Sequence, residues 1–408
     1  MALSATDNVG VTGYCAKESS TTPSGNDSCW TSVTSTTSYS GSVSFTLSSG
    51  GVGDNTKTVY VWFRDSAGNI SASESSSIIL SVWTISTIDS TGDTGYYTSI
   101  KADSNNKLHI SYQDGTNADL KYTTNVSGTW ITYTIDNTGS VGQLSSLAVD
   151  SNNKVHISYQ DYTNGNLMYI TNVSGSWTKS IIDSTGWMGH LTSIAVDANN
   201  KIHISYYDGN NRHLKYATNV SGAWINSTLD YADYTGGGNS IAIDLNNKVH
   251  ISYWDYNNFK LKYATNTSGT WELSTIGNGG VNTAIATDSN NRIHIVDDSS
   301  LSGLKSELKY TTNASGTWIT YIIDSSADLR ATKSITLDSN NKVHISYGDI
   351  TNFDLKYATN SSGIWEIFTI DNIGSVGWWC SIDMDSYNKA HISYSDYTNS
   401  DLKYATNQ

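Results

Sequence analysis

Seven tryptophans recur at one interval: Trp83, Trp130, Trp177, Trp224, Trp271, Trp318 and Trp365 are each 47 residues apart. A fixed period of this length marks a supersecondary unit that buries its apolar face only against its neighbours. A second marker, Asp-x-Asn-Asn-Lys/Arg-x-His, accompanies it. It begins at Asp103, Asp150, Asp197, Asp244, Asp288 and Asp338, with a variant at Asp385 in which Tyr387 replaces the first Asn. It delivers His109, His156, His203, His250, His294, His344 and His391.

Each period reads as four short strands. In the first these are 99–102, 108–112, 119–124 and 129–135, with Asp103-Ser104-Asn105-Asn106-Lys107 as a turn. Asn-Asn and Ser-Gly turns between β-branched and aromatic runs are hairpin signals. Seven such units predict an all-β chain with a seven-bladed β-propeller over 82–408. The seventh repeat lacks its Trp-bearing fourth strand, and 82–88 is an isolated one. Pairing the two closes the ring and removes exposed sheet edges. Residues 1–81 lack the period. Runs at 42–47, 58–63 and 77–80 predict a small β-sandwich. Cys15 and Cys29 form a disulfide there if the compartment is oxidising, and are free thiols otherwise. Cys380 reads as a small buried hydrophobe.

The run Ala5-Thr6-Asp7-Asn8-Val9-Gly10-Val11-Thr12-Gly13-Tyr14, with Trp62-Phe63-Arg64-Asp65-Ser66-Ala67-Gly68-Asn69, resembles bacterial Ig-like or fibronectin-III-like modules of cell-surface and secreted proteins. The strand that usually precedes the Ala-Thr-Asp run is missing, so the resemblance implies a truncated module. The repeat, with Asp-Ser-Asn-Asn-Lys-Val-His-Ile-Ser-Tyr and Leu-Lys-Tyr-Ala-Thr-Asn, resembles bacterial and archaeal propellers of the sialidase-like or lectin-like kind. The Ig-like resemblance implies an extracellular or cell-surface location.

A net charge of −14 with only four arginines argues against a nucleic-acid partner. No apolar run reaches the ~20 residues of a membrane span. Residues 1–7 read as no signal peptide. The pattern His-Ile-Ser-Tyr-x-Asp (His109, Ser111, Tyr112, Asp114) invites a hydrolase reading, but the histidine recurs in all seven repeats and the Ser, Tyr and Asp in six. A repeated buried polar network explains it better than seven catalytic sites. The Asp-x-Asn-Asn-Lys turn could suggest Ca2+, yet it lacks the terminal bidentate Glu of an EF-hand, and a self-capping turn explains it. No cofactor is expected. A sialidase needs an arginine cluster; only Arg212, Arg292 and Arg330 follow residue 82. Of the histidines, only His190 and His213 depart from the repeat, too few for a zinc site. The sequons at Asn125, Asn172, Asn219, Asn266, Asn313 and Asn360 read as turn chemistry.

Positions identical in every repeat are most simply structural, so recognition is sought where they vary. One face carries Tyr96, Tyr97, Trp187, His190, Trp254, Tyr256, Trp378 and Trp379, with Tyr162, Tyr207, Arg212, His213, Tyr234, Phe259, Phe353 and Tyr397 around them. Asp114, Asp161, Asp208, Asp255, Asp349 and Asp396 are expected to edge that face. Aromatic platforms beside hydrogen-bonding groups suit sugar rings. These eight residues predict a non-catalytic, lectin-like site. The alternatives are a surface-protein adhesion scaffold and a glycoside hydrolase or lyase. The fifth repeat breaks the pattern with Val296, Asp297 and a longer loop over 297–307.

Overall fold

The computed structural model describes residues 1–47, 56–79, 83–298 and 306–407. These residues form strands and connections, with no helix long or apolar enough to cross a membrane. The chain divides into two compact units, Met1–Thr84 with Asn407–Gln408, and Ile85–Thr406.

In the first unit, β1 (Ala2–Lys17), β2 (Trp30–Ser42), β3 (Thr56–Asp65) and β4 (Glu74–Ile79) make one sheet in the order β2-β1-β3-β4. The expected sandwich needs two facing sheets, and the described residues supply one. β1 and the Ser/Thr-rich β2 lie outside the expected runs but for Ser42, and 43–47 is not strand. A bulge lets β1 turn within itself. Asp7 Oδ1 accepts from the amides of Val9 and Gly10, and Gly10 adopts φ +115° where the register shifts. Leu3, Val59 and Val61 form the core, and Cys15 is bonded to Cys29.

The second unit holds seven four-stranded antiparallel sheets, numbered one to seven in chain order. This repetition is consistent with a propeller. Sheet one is β6 (Thr94–Ala102), β7 (Leu108–Asp114), β8 (Asp119–Thr124) and β9 (Ile131–Asp136). Its first strand begins five residues before the expected start at 99. Sheet seven takes β5 (Trp83–Asp89) as its outermost strand, beside the C-terminal strand Asp401–Asn407.

Four sets of repeated contacts join neighbouring sheets. The first is a latch between turns. The turn Asp caps its own loop, Oδ1 accepting two backbone amides at 2.7–2.9 Å. The Asn three residues on is left-handed in every repeat, as at Asn106 with φ +58°. Its Oδ1 accepts an amide from the previous sheet's turn at 2.9–3.1 Å. The seventh such bond, Ser386 N–H to Asn106, closes the circle.

The second set starts at the histidines. Nδ1 lies 2.5–2.6 Å from a third-strand tyrosine hydroxyl in all seven sheets. Nε2 faces the turn carboxylate at 3.3–3.6 Å. Burial pushes Tyr122 up to about 12, so its hydroxyl keeps its proton and donates it. That leaves the Nε2 proton directed at the carboxylate. The same tyrosine ring receives the periodic tryptophan of the next sheet. Six such pairs have centroids 5.0–5.4 Å apart and planes at 62–67°. The edge-on geometry places ring hydrogens against the π face.

The third set links six junctions. A second-strand tyrosine donates to the aspartate ending the previous sheet's fourth strand, as Tyr112 does to Asp89 at 2.6 Å. A lysine joins it, Lys121 at 2.8 Å in sheet one; in sheet two Met168 occupies that position and Lys179 substitutes. Burial pushes Asp89 up, but the bonds from Lys121 and Tyr112 outweigh it and hold the carboxyl below its ordinary value. The fourth set is a run of buried polar side chains across the inner strands: Ser111 with Ser145, Ser158 with Thr192, Ser205 with the Asn239 amide oxygen, Ser252 with Thr283, and Ser393 with Thr98. The motif His-Ile-Ser-Tyr therefore serves three separate contacts rather than one network.

Sheet five departs from this scheme. Gly277 stands where the aspartate would be and Asp297 where the tyrosine would be. Asp297 is 1% exposed and neither carboxylate oxygen has a hydrogen-bond partner among the described residues. Burial raises it to about 7. Val296 replaces the inner serine, and a fully buried Lys333–Asp298 ion pair at 2.8 Å joins sheets five and six instead. Most of the longer loop, 299–305, lies outside the described residues, as do Leu80 and Val82.

Candidate functional site

The first strands of all seven sheets line one central cavity of about 280 Å³. Its wall is mixed, with serines such as Ser99, Ser146, Ser193, Ser240, Ser334 and Ser381 set among Leu, Ile and aromatic side chains. Several of these serines accept the next sheet's backbone amide, as Ser381 does from Ile100.

Where the first strands enter the cavity, sheets one to four carry a bulge. Tyr97, Leu144, Leu191 and Gly238 share φ 52–54°, and the register slips beside each. A left-handed backbone is uncommon for a tyrosine or leucine and costs about 1–3 kcal/mol. The next sheet helps hold it: Ser145 Oγ donates to the Tyr97 carbonyl, Asn239 Nδ2 to that of Leu191, and Thr283 Oγ1 to that of Gly238. The frame thus fixes the backbone while the side chain varies.

Four of the eight residues expected from sequence come together at the junction of sheets seven and one. Tyr97 and Trp379 have ring centroids 4.3 Å apart, and both line the cavity. Tyr96 lies 6.4 Å from Tyr97 and 5.5 Å from Tyr397, and Trp378 5.6 Å from Tyr397. Polar atoms fix the rings: Tyr96 donates to Asp93, Trp378 Nε1 to Ser375, and Trp379 Nε1 to the Tyr397 hydroxyl. Tyr397 is 41% exposed. Burial, then the hydrogen bond to Asp93, pushes the Tyr96 phenol up to about 12, so it stays a neutral donor.

Trp254 and Tyr256 form a second group, 4.9 Å apart, with Tyr234 and Phe259 against Tyr256. The Arg212 guanidinium stacks 4.1 Å above Tyr234. His190 pairs with Tyr207 across the strands of sheet three, rings 6.2 Å apart. Burial lowers His190 and keeps it neutral. Trp187 stands apart from these groups. It lies on the glycine turns at Gly165 and Gly209, where a Cβ would clash with its ring, and packs edge-on to Tyr162.

The repeated aspartates do not edge this face as acceptors. Asp114 Oδ1 takes the amides of Thr116 and Asn117 and Oδ2 takes the Asn117 side chain, so both oxygens are occupied within the turn. Asp161, Asp208, Asp255, Asp349 and Asp396 cap their turns in the same way. The turn aspartates once considered for Ca2+ are likewise committed to backbone amides and histidine. Among the described residues no group of three His, Cys, Asp or Glu side chains is placed to hold a metal ion. Tyr397, Tyr234 and Arg212 lie outside the eight expected residues; their signal in the sequence is side-chain variation between repeats at equivalent loop positions.

Neither a family model nor a curated protein matches the sequence. Solved structures do resemble the fold. Hydrazine synthase of Kuenenia stuttgartiensis is 10% identical with TM-score 0.57, over 77% of this chain and 96% of that one. A polysaccharide lyase of family PL25, an ulvan lyase, is 11% identical with TM-score 0.54, over 77% and 94%. An ulvan lyase bound to -[GlcA(1-4)Rha3S]- gives 10% and 0.55, over 78% and 93%. These neighbours are β-propeller-like, and at such identities the likeness is one of fold.

Proposed function

We propose that residues 82–408 are a seven-bladed β-propeller behind an Ig-like module over 1–81. On this reading the protein is an extracellular or cell-surface saccharide-binding protein. The observation that carries it is the aromatic group at the cavity mouth, Tyr96, Tyr97, Trp378, Trp379 and Tyr397, whose rings are held in place by the bonds of Tyr96 to Asp93, Trp378 to Ser375 and Trp379 to Tyr397. Stacked C–H faces and fixed polar neighbours are what a pyranose ring needs. Trp254 and Tyr256 offer a second platform. That an ulvan lyase of similar fold holds a saccharide adds support by analogy of fold alone.

The test is binding of an oligosaccharide array by the wild-type protein and by Trp379→Ala and Tyr97→Ala. We expect each variant to weaken binding at least about tenfold, as for a lost aromatic anchor. An array without a binder, or variants that bind as well as wild type, refutes the reading.

A second reading is a lyase acting on the same face. The neutral imidazole of His190, able to accept a proton, beside the Tyr207 phenol, which burial holds protonated, favours it. Release of unsaturated sugar products from uronate polymers, lost in His190→Ala, tests that reading.

A further inference from the structure

Arg212 is singular in the second unit. Arg292 is paired with Asp288 and Arg330 with Asp328, whereas no carboxylate among the described residues lies within pairing distance of Arg212. The side chain is exposed, yet its guanidinium lies over the Tyr234 ring, 4.1 Å from its centroid. The nearby Asp208 makes no ion pair with it; its oxygens accept the turn amides and the Asn211 side chain instead.

The backbone presents this arginine deliberately. The equivalent turn position is left-handed in other sheets too, at Ala118, Gly165, Phe259, Phe353 and Ser400 (φ 52–70°), as is Arg212 at 62°. One conformation carries unlike side chains, which is how a fixed frame displays variable contacts. Tyr234 adds a strain of its own. It has φ 60°, while its equivalents Asp93, Ser140, Trp187, Asp328 and Ser375 are not left-handed. A bulky residue in this region is an outlier, and it here forms the platform under the guanidinium. Beside it stand the Tyr207 phenol and, across the strand pair, His190, whose buried Nδ1 has no hydrogen-bond partner among the described residues.

We infer that Arg212 on Tyr234, with Tyr207 and His190 alongside, receives the anionic oxygens of an acidic saccharide, a carboxylate or a sulfate ester. A stacked guanidinium leaves its N–H edge free for two parallel bonds to such a group. The overall charge of −14 opposes long polyanions, so short acidic oligosaccharides are the fitting class. The inference rests on the saccharide reading above and gives that ligand its charge.

An array of neutral, uronate-bearing and sulfated oligosaccharides tests it. Wild-type protein should prefer an acidic class over its neutral counterpart at least about tenfold; the class preferred separates carboxylate from sulfate. Arg212→Met should abolish the preference without lowering the melting temperature, and Arg212→Lys should retain part of it. Trp379→Ala should weaken all classes alike. Equal binding of neutral and acidic sugars, or a preference that survives Arg212→Met, overturns the inference and leaves the saccharide reading standing. Acidic binding that depends on Arg212 but not on Trp379 supports the inference and overturns the aromatic platform. No saccharide binding overturns both.

Discussion

The indole of Trp130 packs edge-on against the phenol ring of Tyr404, with centroids 5.4 Å apart. This contact ties sheet one to sheet seven, repeating between the ends of the series what Trp177 does with Tyr122 inside it. Trp130→Ala removes a large aromatic from that closing junction, and Trp177→Ala does so at an internal one. Each should cost about 2–4 kcal/mol. Urea unfolding followed by circular dichroism measures it. A change under about 0.5 kcal/mol, as for an unremarkable surface site, contradicts the staple role.

Asn106 separates two contributions. Asn106→Gly keeps the left-handed backbone and loses the acceptor for Ser386 N–H, a loss of about 1 kcal/mol. Asn106→Ala loses the acceptor and adds about 1–2 kcal/mol of strain. The alanine variant should therefore be the less stable of the two. The reverse order contradicts this account.

The seven repeat histidines predict a steep acid response. Burial lowers each of them, and the turn aspartate only partly opposes it. The unfolded chain therefore binds protons first as pH falls. This stability is fully present above the unfolded histidine value of about 6.5 and declines below it. Each histidine contributes up to about 1.4 kcal/mol per pH unit. Unfolding midpoints should be flat from pH 8 to 7 and drop sharply by pH 5. A flat profile down to pH 5 contradicts neutral buried imidazoles.

Asp297 behaves in the opposite sense. Its folded value of about 7 lies above the unfolded one, so its penalty grows as pH rises from 4 and levels off above 7. Asp297→Asn should gain up to about 4 kcal/mol at pH 8 and almost nothing at pH 4. The difference between the two proteins, measured at both pH values, cancels the histidine effect they share. A gain that does not depend on pH contradicts a buried ionisable carboxyl.

Much of the frame was legible because repetition supplied internal controls. Trp83 and its equivalents set the period, and the Asp-x-Asn-Asn-Lys turns gave the hairpins. The link from Ser386 to Asn106 was not legible, since no periodicity reveals which amide an exposed side chain meets. The first unit was harder to read. Its strands 2–17 and 30–42 are rich in Ser, Thr and Gly, and their polar residues hide the alternation that marks a strand. At the candidate site, Trp378 and Trp379 stood out as departures from the period. Tyr397 and Arg212 gained meaning only when the fold placed them beside a ring.

The left-handed bulges at the cavity mouth carry a consequence for change over time. At Tyr97, Leu191 and Gly238 the shape is held by the neighbouring sheet's hydroxyl or amide reaching the backbone carbonyl, a contact that does not involve the side chain of the bulge residue itself. Positions 97 and 191 can thus be exchanged singly, like separate tumblers in one lock, whereas Gly238 is fixed because a Cβ there would meet the Val281 carbonyl. New specificity would arise by rewriting one sheet while the rest of the ring keeps its hold.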